Sequence, residues 1–216
     1  SGVIVESTGV IVTALHVVQG DTEVTIRLAN GDEYDDVAAI DVDEAKDLLL
    51  LKVKAFDLAA ASLANSNDAQ VGDAVVVIGT PQGFEQSVTT GILSAIRDSG
   101  EGYQIFQTDA AASPGSSGGG LFNDAGELIG IVSSKIMSAE NVNFALPINY
   151  ARGLIGTETS MTLPELAELY PLNDAAGALG GTFDQDLTTE LLRSLIEEWG
   201  EKYEEVVEGV WLIPYE

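Results

Sequence analysis

The sequence predicts an all-β fold of two lobes with an acidic, mainly helical extension. Three observations predict it. The first 156 residues hold many short apolar runs separated by turn residues, with no long helical segment between them. One stretch rich in alanine, serine and asparagine, residues 57–72 ("DLAAASLANSNDAQVG"), interrupts the strands and reads as a link between two β lobes. Beyond residue 156 the pattern changes: residues 157–216 carry 14 of the 35 acidic residues and only two of the nine basic ones. The expected boundaries are therefore 1–68 for an N-terminal lobe, 69–156 for a C-terminal lobe and 157–216 for the extension. Barrels or a sandwich both suit the strand pattern. A parallel βαβ fold would need helical crossovers that are missing.

The elements follow in order. "GVIVESTGVIVTALHVV" is two apolar runs around a Ser7-Thr8-Gly9 turn. "EVTIRLANGDEYDD" alternates apolar and polar residues and turns at Asn30-Gly31, a hairpin signal. "DLLLLKV" is a fully buried strand. "AVVVIGTPQG" is a strand ending in a turn, and "SVTTGILSAI" and "YQIFQTD" continue the series. "GLFNDAGELIGIVSSKI" is a hairpin with Gly126 at its turn, and "NVNFALPI" closes the set. In the extension, "TLPELAELY" starts a helix at Thr162 and Pro164. "LTTELLRSLIEEWGEKYEEVVEG" puts Leu187, Leu191, Leu195 and Trp199 on one helical face, and "VWLIPY" ends the chain as an apolar strand or tail.

Composition narrows the function. At 45% hydrophobic residues the 216-residue chain affords a sizeable core. The chain lacks cysteine, which excludes disulfides, thiol catalysis and zinc–thiolate sites and leaves the compartment open. The net charge of −26 repels a nucleic-acid backbone and an anionic membrane surface alike. No apolar run approaches the ~18 residues of a membrane span, and no signal segment is legible. The acidic stretches "DVDEAKD" and "NGDEYDD" do not match EF-hand ligand spacing, so neither a metal nor a cofactor is expected.

Residues 109–122, "DAAASPGSSGGGLF", raise the question of chemistry. Strands flank the stretch closely, which argues against a linker. Glycines permit unusual backbone angles and let N–H groups converge on one point, so Ser117 suits a nucleophile and the N–H groups of Gly115 and Ser117 suit oxyanion donors. A serine hydroxyl needs a base, and His16 is the one histidine of the chain. A base needs an orienting group. Asp47 directly precedes the buried strand "DLLLLKV", where a half-buried carboxylate requires a partner. Asp41, Asp43 and Glu44 are its rivals. The string also matches the G-x-S-x-G elbow of α/β-hydrolases, but that class runs Ser, Asp, His and needs a helix after the serine. Here the order is His, Asp, Ser on a β chain.

On these residues the chain resembles the trypsin-like protease domain of the HtrA/Deg type, within the chymotrypsin superfamily. "GVIVTALHVV", "DLLLLKV", "VGDAVVVIGTPQGFEQSVTTGILSA", "IFQTDAAASPGSSGGGLFNDAGELIGIVSS" and "NFALPI" match in order over about residues 1–150. The resemblance implies two six-stranded-type antiparallel β-barrels and a serine endopeptidase working through an acyl-enzyme. His16 would be the general base, Asp47 its orienter and Ser117 the nucleophile, with Gly115, Ser116 and Ser117 forming the oxyanion hole. Ala111, Ala112, Ser133, Ser134, Lys135 and Asn143 would line the substrate pocket. No acidic residue sits at its base, so small or medium apolar side chains are expected, with Lys135 as a feature that would instead favour an acidic one. Three departures stand out: Ser116 where the family usually has Asn or Asp, Leu15 where a small residue or Asn is common, and Gly120 where Pro or Ala is frequent. No PDZ domain is readable in the extension, which is expected to pack on the barrels or to mediate contact with a second copy or a partner. Its "VWLIPY" segment is expected to compensate a short first barrel strand. Polypeptide substrates and a secreted, periplasmic or cell-envelope location are the further implications, with a cytoplasmic location left open by the sequence. A catalytically silent protein-binding module is the alternative.

Overall fold

A computed structural model describes residues 1–80, 87–113, 115–133, 142–156 and 160–172, and the backbone of residues 210 and 211. Its N-terminal lobe is built from β1 (Gly2–Glu6), β2 (Val10–Ala14), β5 (Val37–Asp43) and β6 (Leu48–Val53), with a two-stranded ribbon of β3 (Ile26–Arg27) and β4 (Glu33–Tyr34) beside them. Two further strands come from the extension: β13 (Met161–Thr162) pairs with β5, and β14 (Val210–Trp211) pairs with β1. The resulting six-stranded sheet runs β13-β5-β6-β2-β1-β14.

The C-terminal lobe is a closed antiparallel barrel. Its strands are β7 (Ala74–Gly79), β8 (Ser87–Asp98), β9 (Gln104–Thr108), β10 (Gly120–Asn123), β11 (Leu128–Val132) and β12 (Asn143–Pro147), with β7 closing onto β10. The turns predicted at Gly31 and Gly126 are present. Both residues hold positive φ, +90° and +76°, which glycine adopts without a steric penalty. Residues 57–72 link the lobes. They carry one short 3-10 turn (Ser66–Asp68), pinned by the Asn149 side chain, whose Oδ1 accepts from Ser66 N–H at 3.3 Å. Asn149 lies in α1 (Ile148–Arg152), which follows β12.

The predicted start at Thr162 and Pro164 opens α2 (Leu163–Leu169). Thr162 Oγ1 accepts from Glu165 N–H, and Glu165 Oε2 accepts from Thr162 N–H at 2.8 Å, a reciprocal cap. Leu163 and Leu166 of α2 enter the N-terminal core beside Leu49, Leu51 and Ile26. The extension is thus part helix and part sheet. Expected as mainly helical, it supplies both edge strands of the N-terminal sheet. The expected helix through Leu187, Leu191, Leu195 and Trp199 lies outside the described residues.

An apolar seam joins the lobes. Val3, Val12, Leu48 and Leu50 of the first pack with Val76, Ile78, Phe122, Ile131 and Leu146 of the second, all buried. Burying one such side chain stabilises the fold by about 1.5–3 kcal/mol, so the seam fixes the lobes against each other. The register of β2 on β6, with Ala14 opposite Leu48, makes residues 15–16 and residue 47 leave the sheet at the same end. In the second barrel Gly120 lies opposite Ile131, so the serine loop and residue 133 emerge together.

Gly120, one of the three departures, has a packing reason. A Cβ there would lie 2.3 Å from Phe122 Cε2 and 2.9 Å from Leu128 Cδ1. The buried Phe122 ring fills the space that an alanine would need. Gly120→Ala should therefore lower stability by about 1–3 kcal/mol through overpacking. Combined with Phe122→Leu, it should cost less than the sum of the two single changes. Denaturant titration of the four-protein cycle measures that coupling.

Candidate active site

The site begins at Asp47. It holds φ +54°, a left-handed conformation that aspartate tolerates better than most residues. This turn aims three acceptors of one residue at the segment after β2. The Asp47 backbone carbonyl accepts from Leu15 N–H at 3.0 Å. Its Oδ1 accepts from His16 N–H at 3.0 Å, and its Oδ2 lies 2.6 Å from His16 Nδ1. Leu15, buried in the N-terminal core, anchors the other side of the histidine. That packing accounts for a large residue at this position.

The Asp47 side chain is 6% exposed and that of His16 is 26% exposed. Burial by itself pushes the Asp47 carboxyl up. The hydrogen bond and charge of His16, together with the Ser133 hydroxyl, outweigh burial and hold it below the usual carboxylate range. An ionised Asp47 accepts the Nδ1–H of His16. In the neutral ring this places the basic lone pair on Nε2.

Ser133 was expected in the pocket wall. Its hydroxyl instead donates to Asp47 Oδ2 at 2.7 Å, and the residue is 1% exposed. This second partner of the carboxylate was not legible in the sequence, because residues 47 and 133 meet only across the seam between the lobes.

The serine loop docks on the same end of the N-terminal sheet. Gly118 has φ +81°, and a Cβ there would come within 2.1 Å of Ser1 O, 2.3 Å of Thr13 Oγ1 and 3.1 Å of Ala14 N. Glycine is required on both counts. The contact brings the residue after Ser117 against the strand end two residues before His16. Ser117 itself is buried. Hydrogen bonds shape the loop: Ser116 N–H donates to Ser113 O at 2.9 Å, Gly119 N–H to Ser116 O at 2.9 Å, and Gly118 N–H to Val132 O at 2.8 Å. Ser116 Oγ accepts from Ser113 N–H at 3.3 Å, so the serine found in place of Asn or Asp closes the loop locally. Gly115 is exposed, with φ +98°.

The segment before the loop is clamped from β8 and β12. Thr89 Oγ1 donates to Ala111 O at 2.6 Å, Asn143 Nδ2 donates to Ala110 O at 2.8 Å, and Asp109 Oδ1 accepts from Ile92 N–H at 2.7 Å. Ala111 is exposed and Ala112 partly buried. Ser134 and Lys135 lie outside the described residues. Of the rival acids, Asp43 is paired with Lys46 at 2.6 Å, and Asp41 Oδ1 accepts from Val42 N–H at 2.8 Å. Among the described residues no group of three or more His, Asp or Glu side chains is arranged to hold a metal, and no helix is long and apolar enough to cross a membrane.

Comparison with known proteins agrees with this architecture. The trypsin-like peptidase domain family matches residues 1–131. A probable periplasmic serine endoprotease DegP-like of Hahella chejuensis is 42% identical over 200 residues, covering 83% of this chain and 42% of that protein. The serine endoprotease DegS of Haemophilus influenzae is 37% identical over 165 residues, covering 72% of this chain and 48% of that protein. The chain thus spans less than half the length of these two relatives. Among solved structures, the HtrA-type protease AlgW with a tripeptide superposes with a TM-score of 0.65 at 36% identity, covering 70% of this chain and 52% of that one. With the two-lobed β architecture, the ordered His16, Asp47 and Ser117, and this match over more than half its length, the chain belongs to the trypsin-like peptidase family, with relatives of the HtrA/Deg type.

Proposed function

We propose that this chain is a serine endopeptidase that cleaves polypeptides through a Ser117–His16–Asp47 triad and an acyl-enzyme. The observation that carries the proposal is the buried Asp47 carboxyl 2.6 Å from His16 Nδ1, beside a glycine-bounded serine loop seated two residues from that histidine. Ser117 Oγ attacks the scissile carbonyl carbon while its proton passes to His16 Nε2. The tetrahedral adduct collapses with cleavage of the C–N bond, and the leaving amine takes the proton from His16. Water then repeats the sequence: it gives a proton to Nε2, attacks the acyl carbon, and Ser117 Oγ leaves with that proton. Asp47 fixes the tautomer and stabilises the imidazolium. The N–H groups of Gly115 and Ser117 receive the oxyanion, and loss of one such donor typically costs on the order of 10²–10³ in rate. The N–H of Ser116 already bonds Ser113 O, so Ser116 serves the hole by shaping its turn.

Ala111, Ala112 and Asn143 border the pocket for the side chain before the cleaved bond. No acid stands among them, which favours small or medium apolar side chains over lysine or arginine. Protein quality control or processing in the cell envelope is the corresponding role, in keeping with the periplasmic naming of the relatives. The extension is proposed to hold contacts with a further copy or a partner.

A fluorophosphonate probe should label the wild-type protein and leave Ser117→Ala unlabelled. Equal labelling of both proteins would refute the nucleophile, and absence of labelling in both would favour a silent binding module. Asp47→Asn should lower kcat by about 10⁴, because the histidine would be held in the wrong tautomer. Steady-state hydrolysis of a peptide library checks this and reads the side-chain preference in the same digest.

Asp47 also predicts a pH dependence of stability. Its folded pKa lies below the unfolded value, so its stabilising contribution is complete above about pH 4 and is lost as pH falls through the lower, folded value. Wild type should exceed Asp47→Asn in Tm near neutrality, and that gap should narrow on acidification below about pH 4. Thermal melts from about pH 2.5 to about pH 7, which bracket the ordinary carboxylate value, test this; a gap that widens toward low pH contradicts it.

A further inference from the structure

Ser1 is a buried polar residue that the proposed mechanism does not use. Its side chain stands at the start of β1, in the N-terminal lobe, yet its bonds go to the other lobe. Ser1 Oγ donates to the carbonyl of Gly115 at 2.6 Å. The same oxygen accepts from Thr80 N–H at 2.8 Å and lies 3.0 Å from Thr80 Oγ1, just past the end of β7. The Ser1 carbonyl accepts from Thr13 Oγ1 at 2.6 Å, which ties the residue back to β2. Four polar groups from three parts of the chain thus hold one residue in place.

What that residue grips matters. The peptide unit joining Gly115 to Ser116 sits between the two N–H groups assigned to the oxyanion. Its oxygen is held by Ser1 Oγ, and its nitrogen is held by Ser113 O at 2.9 Å. A peptide unit is planar, so bonding both ends fixes its orientation. That in turn fixes ψ of Gly115 and φ of Ser116. Gly115, at φ +98° and without a side chain, has the backbone freedom to turn this unit over if it is released. The close approach of Ser116 Cα, 3.0 Å from a Cβ built on Gly79, seats the same unit against the end of β7.

We propose that Ser1 is a positioning residue that locks the oxyanion loop, acting across the seam between the lobes. It does not touch the reacting atoms; it acts through the Gly115 carbonyl. The inference rests on the serine-endopeptidase reading above. It adds to that reading a hydroxyl just before the first strand, on which the transition-state donors of the second barrel depend.

The test uses the second-order rate of labelling by a fluorophosphonate, whose phosphoryl oxygen occupies the oxyanion position as Ser117 Oγ displaces fluoride. Ser1→Ala should be labelled about ten- to a hundred-fold more slowly, since small misplacements of catalytic groups cost about that much. Its Tm should fall by only a few degrees, the cost of the buried bonds to Thr80 and Gly115 that the hydroxyl makes. On a peptide substrate, kcat should fall with KM little changed. Ser1→Thr, which keeps the hydroxyl, should recover most of the rate, whereas its isostere Ser1→Val should not. Should Ser1→Ala fail to fold, the Thr and Val variants decide: a fast Thr and a slow Val support the inference, and equal rates overturn it. Wild-type labelling that Ser117→Ala does not abolish overturns the protease reading, and this inference with it. Ser117-dependent labelling that Ser1→Ala leaves unchanged overturns this inference alone.

Discussion

A buried carboxylate demands partners, and the arrangement of this site follows from how Asp47 finds them. Removing a charge from water without compensating bonds is costly. Asp47 meets that demand with His16 N–H, His16 Nδ1 and the Ser133 hydroxyl, while its backbone carbonyl bonds Leu15. The bonds that satisfy the charge are the bonds that aim the imidazole. Because β2 and β6 are antiparallel neighbours in fixed register, the residues after one and before the other face each other without a long loop. Stability and orientation are one interaction here.

The serine side of the site depends on a different constraint, which is room. Gly118 approaches Ser1 and Thr13 so closely that no side chain fits. Gly119 does the same against Ile78 O, at 2.5 Å for a built Cβ. The glycines therefore let one backbone segment lie flat on two lobes. The apolar seam beneath, from Val12 and Leu50 to Ile78 and Phe122, keeps those lobes from sliding. A rigid scaffold of this kind is what catalytic geometry needs, since the chemistry tolerates errors of only about 0.5 Å.

The extension contributes to that rigidity. An edge strand leaves unpaired N–H and C=O groups that invite wrong pairing. Here β13 covers β5 and β14 covers β1, so residues from beyond 156 form both edges of the N-terminal sheet as strands of only two residues. Helix α2 adds Leu163 and Leu166 to the core under that sheet. β1 begins at the residue after Ser1, so the strand that β14 covers leads directly to the contact with Gly115.

The sequence by itself determined the β class, the lobe linker, the turns at Gly31 and Gly126, the helix start at Thr162 and the short list of reactive residues. Each of these is a local signal: alternation, a turn glycine, a capping threonine, one histidine, one serine among glycines. The tail strand was also legible as an apolar run expected to support a short first strand, and its Val210–Trp211 segment pairs with β1. The sequence pointed to Asp47, which directly precedes a buried run, over Asp41, Asp43 and Glu44; the tertiary structure supplied the contact, because the register of β6 on β2 sets residue 47 beside the segment that carries His16. It also turned Ser133 from an expected pocket residue into a partner of Asp47, and gave Ser1 and Thr80 a grip on the serine loop. Contacts between residues 47 and 133, or 1 and 115, have no periodicity along the chain. They exist because two sheets pack face to face, and register and packing are properties of the folded pair rather than of either strand.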